Sequence, residues 1–118
     1  MLNKSFSLLL AEPIKSYNKT IFVDSDKSIS IRSFLIGAVS HNISEVKNVL
    51  ESNDVYSGVN ILKKLGVKID KVKAKHYLVY GKGLGSLYAK KNTVLDCSNS
   101  GTTSRLVCGL LSTNPDIQ

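Results

Sequence analysis

The sequence has 118 residues, 42% of them hydrophobic, which suffices for one compact core and gives no reason of size to divide the chain into independent domains. Sixteen Lys and Arg against nine Asp and Glu leave a formal charge of +7, which favours anionic partners such as phosphorylated metabolites, nucleic acid or a membrane surface without choosing among them. Leu8, Leu9, Leu10 and Ala11 before Glu12 and Pro13 are too short and wrongly flanked for a signal peptide, and no stretch reaches transmembrane length, so a soluble cytoplasmic protein is expected.

Residues 5–10 are predicted as a strand, followed by a loop at Pro13, and residues 20–23 resume strand character. Over residues 28–40, Ile31, Phe34, Leu35, Ala38 and Val39 recur at helical spacing, with His41 and Asn42 as the stop. Residues 43–49 read as a short strand that ends at Glu51, Ser52, Asn53 and Asp54, a cluster of helix-capping types. The next helix carries a stripe of Val55, Val59, Leu62 and Leu65, and Gly66 stands where a left-handed residue would close it. Val67 and Ile69, extending toward Val72, and then Tyr77 and Val79 predict a hairpin, with residues 81–85 as its exit. Residues 93–97 read as a further strand, and Leu106, Val107, Leu110 and Leu111 mark a third helix.

The order β-α-β-α-β-β and then β-α again places the chain in the α/β (α+β) class. It suggests residues 1–19 as an N-terminal strand and linker, 20–92 as a first unit, and 93–118 as the start of a second, incomplete one. Ser28 to Arg32 and Gly101 to Arg105 share a design: small hydroxyl residues, an Arg after one turn, then apolar residues.

These two helix entrances hold the chemistry. Free N–H groups and the positive end of the helix dipole favour a phosphate or carboxylate at a strand-to-helix junction. At the first, Lys27 adds a mobile charge, and Ser28 and Arg32, four apart, project from one face. Arg suits bidentate recognition of phosphate or carboxylate. At the second, Asn99 and Ser100 lead into Gly101, which permits close backbone approach, and Thr102, while Arg105 repeats the charge. The structural alternative is that Ser28 merely caps its helix while Arg32 pairs with Asp24 or Asp26, and that residues 99–102 form an ordinary capped turn.

Other features point elsewhere. Gly81, Gly83 and Gly85 lack the Walker spacing and a following amphipathic helix, so a turn is expected. His41 and His76 have no partner motif, and the many lysines read as a solvated surface. Cys97 and Cys108 lie outside any CxxC pattern, which argues for two buried thiols in a reducing compartment and against zinc. No spacing supports nucleophilic or metal catalysis, and no cofactor is expected.

The string Asp26-Lys27-Ser28-Ile29-Ser30-Ile31-Arg32 resembles the substrate-binding motif of the EPSP synthase family of enolpyruvyl transferases. Asn99-Ser100-Gly101-Thr102-Thr103-Ser104-Arg105 resembles that family's second signature. Between them, Leu50-Glu51-Ser52-Asn53-Asp54-Val55 and Leu62-Lys63-Lys64-Leu65-Gly66-Val67 look like its Leu-Ser-Asp-Asp and Leu-Gly-Val segments, in the same order. The resemblance implies the enolpyruvyl transferase fold of repeated β-α-β-α-β-β units. It implies transfer of the enolpyruvyl group of phosphoenolpyruvate to the 5-hydroxyl of shikimate 3-phosphate, with loss of phosphate, in the shikimate pathway to chorismate and the aromatic amino acids. Lys27 would touch both substrates, Ser28 and Arg32 would hold shikimate 3-phosphate, Gly101 would meet phosphoenolpyruvate, and Asn99 and Thr102 would line the same site.

Three positions depart from the family pattern: Asp24-Ser25 stands for Pro-Gly, and Ile31 for His or Asn. Family members are several times longer, so their acid-base carboxylates and opposing domain are expected beyond Gln118 as a missing C-terminal part. No catalytic residue is therefore assigned to this chain, which is expected to be inactive alone. The competing readings are a small basic nucleic-acid-binding domain, disfavoured by the lack of an aromatic stacking motif, and a nonfunctional fragment of an enolpyruvyl transferase. UDP-N-acetylglucosamine enolpyruvyl transferase is disfavoured by the Asn-Ser-Gly-Thr-Thr run.

Overall fold

Asp26 opens the first helix, α1 (Lys27–Val39). Its backbone is extended and its carboxylate accepts from the Ile29 N–H at 2.7 Å, satisfying one of the donors that every helix start leaves unpaired. The structure is a computed structural model that describes residues 7–9, 16 and 18–114. After α1 the chain turns into β1 (Ile43–Lys47), then α2 (Asn53–Lys64), the hairpin strands β2 (Lys68–Lys73) and β3 (His76–Tyr80), and finally α3 (Gly101–Leu111).

Helix α2 is bounded by charge and by its C-cap. Asp54 sits in its first turn and Lys63 and Lys64 in its last, the arrangement the helix dipole favours. At its end Gly66 takes φ +87°; its N–H donates to the Lys63 carbonyl at 3.0 Å, and the Val67 N–H donates to the Leu62 carbonyl at 2.9 Å. This pair of bonds is a Schellman motif, and it turns the chain directly into β2 with Leu62 and Val67 both buried.

The three strands form one antiparallel sheet in the order β1-β3-β2. Alternation along β3 buries Tyr77 and Val79 on the face covered by the helices. The register slips between Lys71 and Lys73, so Val72 is the extra residue of a bulge, and it stands 52% exposed. Ile31, Phe34, Leu35 and Ala38 of α1 meet Val55, Val59, Ile61 and Leu62 of α2 and the inner row of β3 in a single core. Burying each of the larger aliphatic or aromatic side chains stabilises the fold by about 1.5–3 kcal/mol. Phe34 packs edge-on against Tyr77 with ring centroids 5.3 Å apart. Where α1 crosses the sheet the helix presents Gly37, whose missing side chain lets Ser44 and Val79 approach; a Cβ there would lie 3.3 Å from both.

Residues 81–85 follow the hairpin as expected. Two of their donors bond the end of α1: the Lys82 N–H bonds to the Ala38 carbonyl at 2.9 Å, and the Gly83 N–H to the Ser40 carbonyl at 2.8 Å. The glycine-rich segment is thus a cap for the carbonyl end of α1.

Four expectations need correction. Residues 20–23 and 93–97 are not strands: neither has a ladder partner among the described residues, and Phe22 and Val94 are 97% and 73% exposed. Strand propensity without a neighbour to bond does not make a strand. The strand expected over 43–49 ends at Lys47, because Asn48 takes φ +55°. Cys97 is half-buried and Cys108 exposed, the latter because α3 buries only the face bearing Thr103 and Val107. Of the strand expected over residues 5–10, only residues 7–9 are among the described residues; they form no strand, and Leu8 and Leu9 are exposed.

Candidate functional site

At the first entrance, Asp26 is the cap and Ser28 is not. The Lys27 and Ser28 N–H groups at the start of α1 have no partner among the described residues, and the positive end of the helix is directed past them. Arg32, one turn on, is exposed and has no carboxylate within ion-pair distance among the described residues. The alternative in which Ser28 caps the helix and Arg32 pairs with Asp24 or Asp26 is therefore not the arrangement in this structure. Lys27 is engaged: its Nζ lies 2.8 Å from Asp54 Oδ2, in the first turn of α2.

At the second entrance the cap is Ser100, whose hydroxyl accepts from the Thr103 N–H at 3.2 Å and lies 2.8 Å from Thr103 Oγ1. Both residues are buried. The Gly101 and Thr102 N–H groups precede the first intrahelical bond and have no partner among the described residues. Gly101 is exposed, and the Arg105 guanidinium lies over it: a Cβ at Gly101 would stand 3.2 Å from Arg105 Nη2. Asn99 is exposed in the turn just before the helix.

Arg32 and Arg105 line one groove of about 440 Å³ between α1 and α3, whose walls are Leu35, Ile36, Val39, Leu106 and Leu110. Among the groove's lining, only Arg32 comes from the residues singled out in sequence for substrate; Lys27 turns toward α2, and Ser28, Asn99, Gly101 and Thr102 lie at the helix starts. Arg105 is legible as a repeated charge four residues after Gly101, the same spacing as Ser28 to Arg32, but spacing alone does not show that it shares a groove with Arg32. Asp54 as the partner of Lys27 carried no signal beyond its capping type, because the two are 27 residues apart.

The remaining charges are organised around the sheet. Glu51 accepts from Lys71 Nζ at 2.8 Å, the Tyr77 hydroxyl at 2.7 Å and the Lys75 N–H at 3.1 Å. The Lys71 bond foremost, with the other two, pulls its carboxyl from 4.5 down to about 2. Burial foremost, and then Glu51, pushes the Tyr77 phenol up. Lys47 pairs with Glu45 at 3.0 Å, Lys68 with Asp70 at 3.3 Å, and His76 Nε2 with Glu45 at 2.7 Å. Of the hairpin lysines, Lys68 and Lys71 thus have carboxylate partners, whereas Lys73 and Lys75 have none within ion-pair distance among the described residues. Among the described residues, no group of three or more His, Cys, Asp or Glu side chains stands together as a metal site. No described helix is long and apolar enough to cross a membrane.

Comparison with known proteins agrees with the two signatures. The family model for EPSP synthase (3-phosphoshikimate 1-carboxyvinyltransferase) matches residues 11–117. The 3-phosphoshikimate 1-carboxyvinyltransferase of Syntrophomonas wolfei subsp. wolfei is 43% identical over 102 residues, 86% of this chain and 23% of that protein. That of Bacillus cytotoxicus is 44% identical over 101 residues, with the same shares. Among solved structures, EPSP synthase from Acinetobacter baumannii superposes with a TM-score of 0.71 at 32% identity, covering 80% of this chain and 21% of that one. The chain spans about a quarter of the length of the curated relatives it matches. With nearly its whole length matched by the family model and its mixed α/β fold shared with a solved relative, the chain belongs to the EPSP synthase family.

Proposed function

We propose that this chain supplies one wall of the substrate site of an EPSP synthase, the enzyme that moves the enolpyruvyl group of phosphoenolpyruvate to the 5-hydroxyl of shikimate 3-phosphate and releases phosphate. The observation that carries the reading is the pairing of two helix starts, whose first N–H groups have no partner among the described residues, with two arginines, Arg32 and Arg105, that share one groove. Both substrates are anions. Bringing two like unit charges to about 4 Å costs on the order of 4 kcal/mol near a protein surface. Fixed cations and helix dipoles offset that repulsion and orient the hydroxyl toward the enolpyruvyl carbon.

In this reading Lys27 reaches both anions, Ser28 and Arg32 hold shikimate 3-phosphate, and the Gly101 and Thr102 N–H groups meet phosphoenolpyruvate, with Asn99 beside them. Residues 20–92 make a first unit and 93–118 the beginning of a second. The apolar walls of the groove, including the exposed Ile36, are then covered by further polypeptide of the kind the longer relatives possess.

Titration calorimetry of the chain with shikimate 3-phosphate, with and without phosphoenolpyruvate, tests the proposal. Saturable binding of shikimate 3-phosphate is the expected result. Binding of structured RNA with a steep salt dependence, and no response to either anion, would overturn it in favour of a nucleic-acid-binding domain.

A further inference from the structure

Residues 93–97, which lead into the second entrance, are held by no sheet ladder, so something else must fix where residues 99–102 point. Helix α2 does so at two places. Lys64 Nζ donates to the Val94 carbonyl at 2.9 Å, and the Ser57 and Ser98 hydroxyls are hydrogen-bonded at 3.1 Å. Ser57 Oγ also lies 3.0 Å from the Asn53 carbonyl. Its one proton is shared between these two acceptors, the Ser98 hydroxyl and the Asn53 carbonyl.

Ser98 occupies an unusual backbone position, φ +48°, in the left-handed region that disfavours a side chain. Two bonds hold it there: its N–H donates to Asp96 Oδ1 at 2.7 Å, and its side chain is tied to Ser57. The next residues are Asn99, at the tip of the turn, and Ser100, whose N–H returns to the Cys97 carbonyl at 2.9 Å. A rotation at Ser98 therefore redirects the whole turn. Asp54, the partner of Lys27, lies three residues before Ser57 on the same helix, so α2 is the common reference for both entrances.

We infer that Ser57, bonded to Ser98, is a positioning residue that aims residues 99–102 at phosphoenolpyruvate. The inference rests on the substrate reading above for its ligand, but its structural part stands independently of it. It separates the two substrates: loss of the Ser57 hydroxyl disturbs the second entrance and leaves Arg32 and Lys27 in place.

The test uses the full chain with Ser57→Ala and Ser57→Thr, titrated separately with phosphoenolpyruvate and shikimate 3-phosphate, and with amide exchange read at Ser98 and Ser100. Ser57→Ala is expected to weaken phosphoenolpyruvate about fivefold, the worth of one hydrogen bond, and to change shikimate 3-phosphate by less than about twofold. Ser57→Thr keeps a hydroxyl and should restore phosphoenolpyruvate affinity to within about twofold of the parent. Ser98→Ala removes the same bond from an exposed position and takes the place of Ser57→Ala should that variant fail to fold. Unchanged phosphoenolpyruvate affinity, or an equal loss for both ligands, would overturn the inference. A parent chain that binds neither anion would overturn the substrate reading instead. Faster exchange at Ser98 and Ser100 in the Ala variant would then still support the positioning role, and unchanged exchange would end it.

Discussion

Lys27 Nζ lies 2.8 Å from Asp54 Oδ2, and this contact joins the first turn of α1 to the first turn of α2. The pair is partly exposed, so its worth to folding is small, below about 1 kcal/mol. Asp54→Asn is therefore expected to lower stability by less than that, measured by urea unfolding. A loss several times larger would mean that the pair organises the helix contact itself.

Glu51 makes stability depend on acid. Its pKa lies below its ordinary value of 4.5, at about 2, because Lys71, Tyr77 and the Lys75 N–H bond the charged form. A lowered folded-state pKa gives a contribution that is complete above about pH 4.5 and is lost as the pH falls through about 2. Urea midpoints measured across that window should fall with pH in the parent chain and fall less steeply in Glu51→Gln. Parallel curves for the two proteins would contradict the role given to this carboxylate.

Two glycines should respond oppositely to alanine. At Gly81 a Cβ would lie 2.3 Å from the Ser40 carbonyl oxygen and 2.7 Å from that of Gly37, both backbone atoms that cannot yield cheaply. At Gly58 the nearest atom would be Thr103 Cγ2 at 3.7 Å, an ordinary contact. Gly81→Ala is expected to cost at least about 2 kcal/mol, whereas Gly58→Ala, inside a helix, should be neutral or stabilising by up to about 1 kcal/mol. Denaturant unfolding of both variants decides it.

Helix α3 is the least embedded of the three helices, burying Thr103 and Val107 where α1 buries six residues. Its amides are expected to exchange faster than those of α1, reflecting local opening at lower free energy. Protection in α3 equal to that in α1 would show that its exposed apolar side is covered in solution.

Much of this architecture was legible in the residues. The apolar spacing of Phe34, Leu35 and Ala38, the stripe from Val55 to Leu65, and Gly66 at a left-handed position each specify local structure by short-range rules, and each appears close to where it was expected. The two segments predicted as strands at 20–23 and 93–97 failed for a long-range reason: Phe22 and Val94 have the right propensity, but pairing depends on a neighbour that local sequence does not reveal. Asp26 rather than Ser28 as the cap of α1 was a choice between two good capping types, settled by which side chain reaches the Ile29 N–H. The ties from α2 to the second entrance, Ser57 to Ser98 and Lys64 to Val94, join residues 41 and 30 positions apart, and no spacing rule announces them.

The most direct test of the proposed site is calorimetric titration of shikimate 3-phosphate into the parent chain and into Arg32→Ala and Lys27→Ala. Arg32 offers a planar, charge-assisted contact with no competing carboxylate among the described residues, and Lys27, at the same helix start, would exchange its Asp54 partner for the ligand. Each variant is expected to bind at least about tenfold more weakly, a loss of about 1.4 kcal/mol or more. Affinity in both variants equal to that of the parent chain would contradict it.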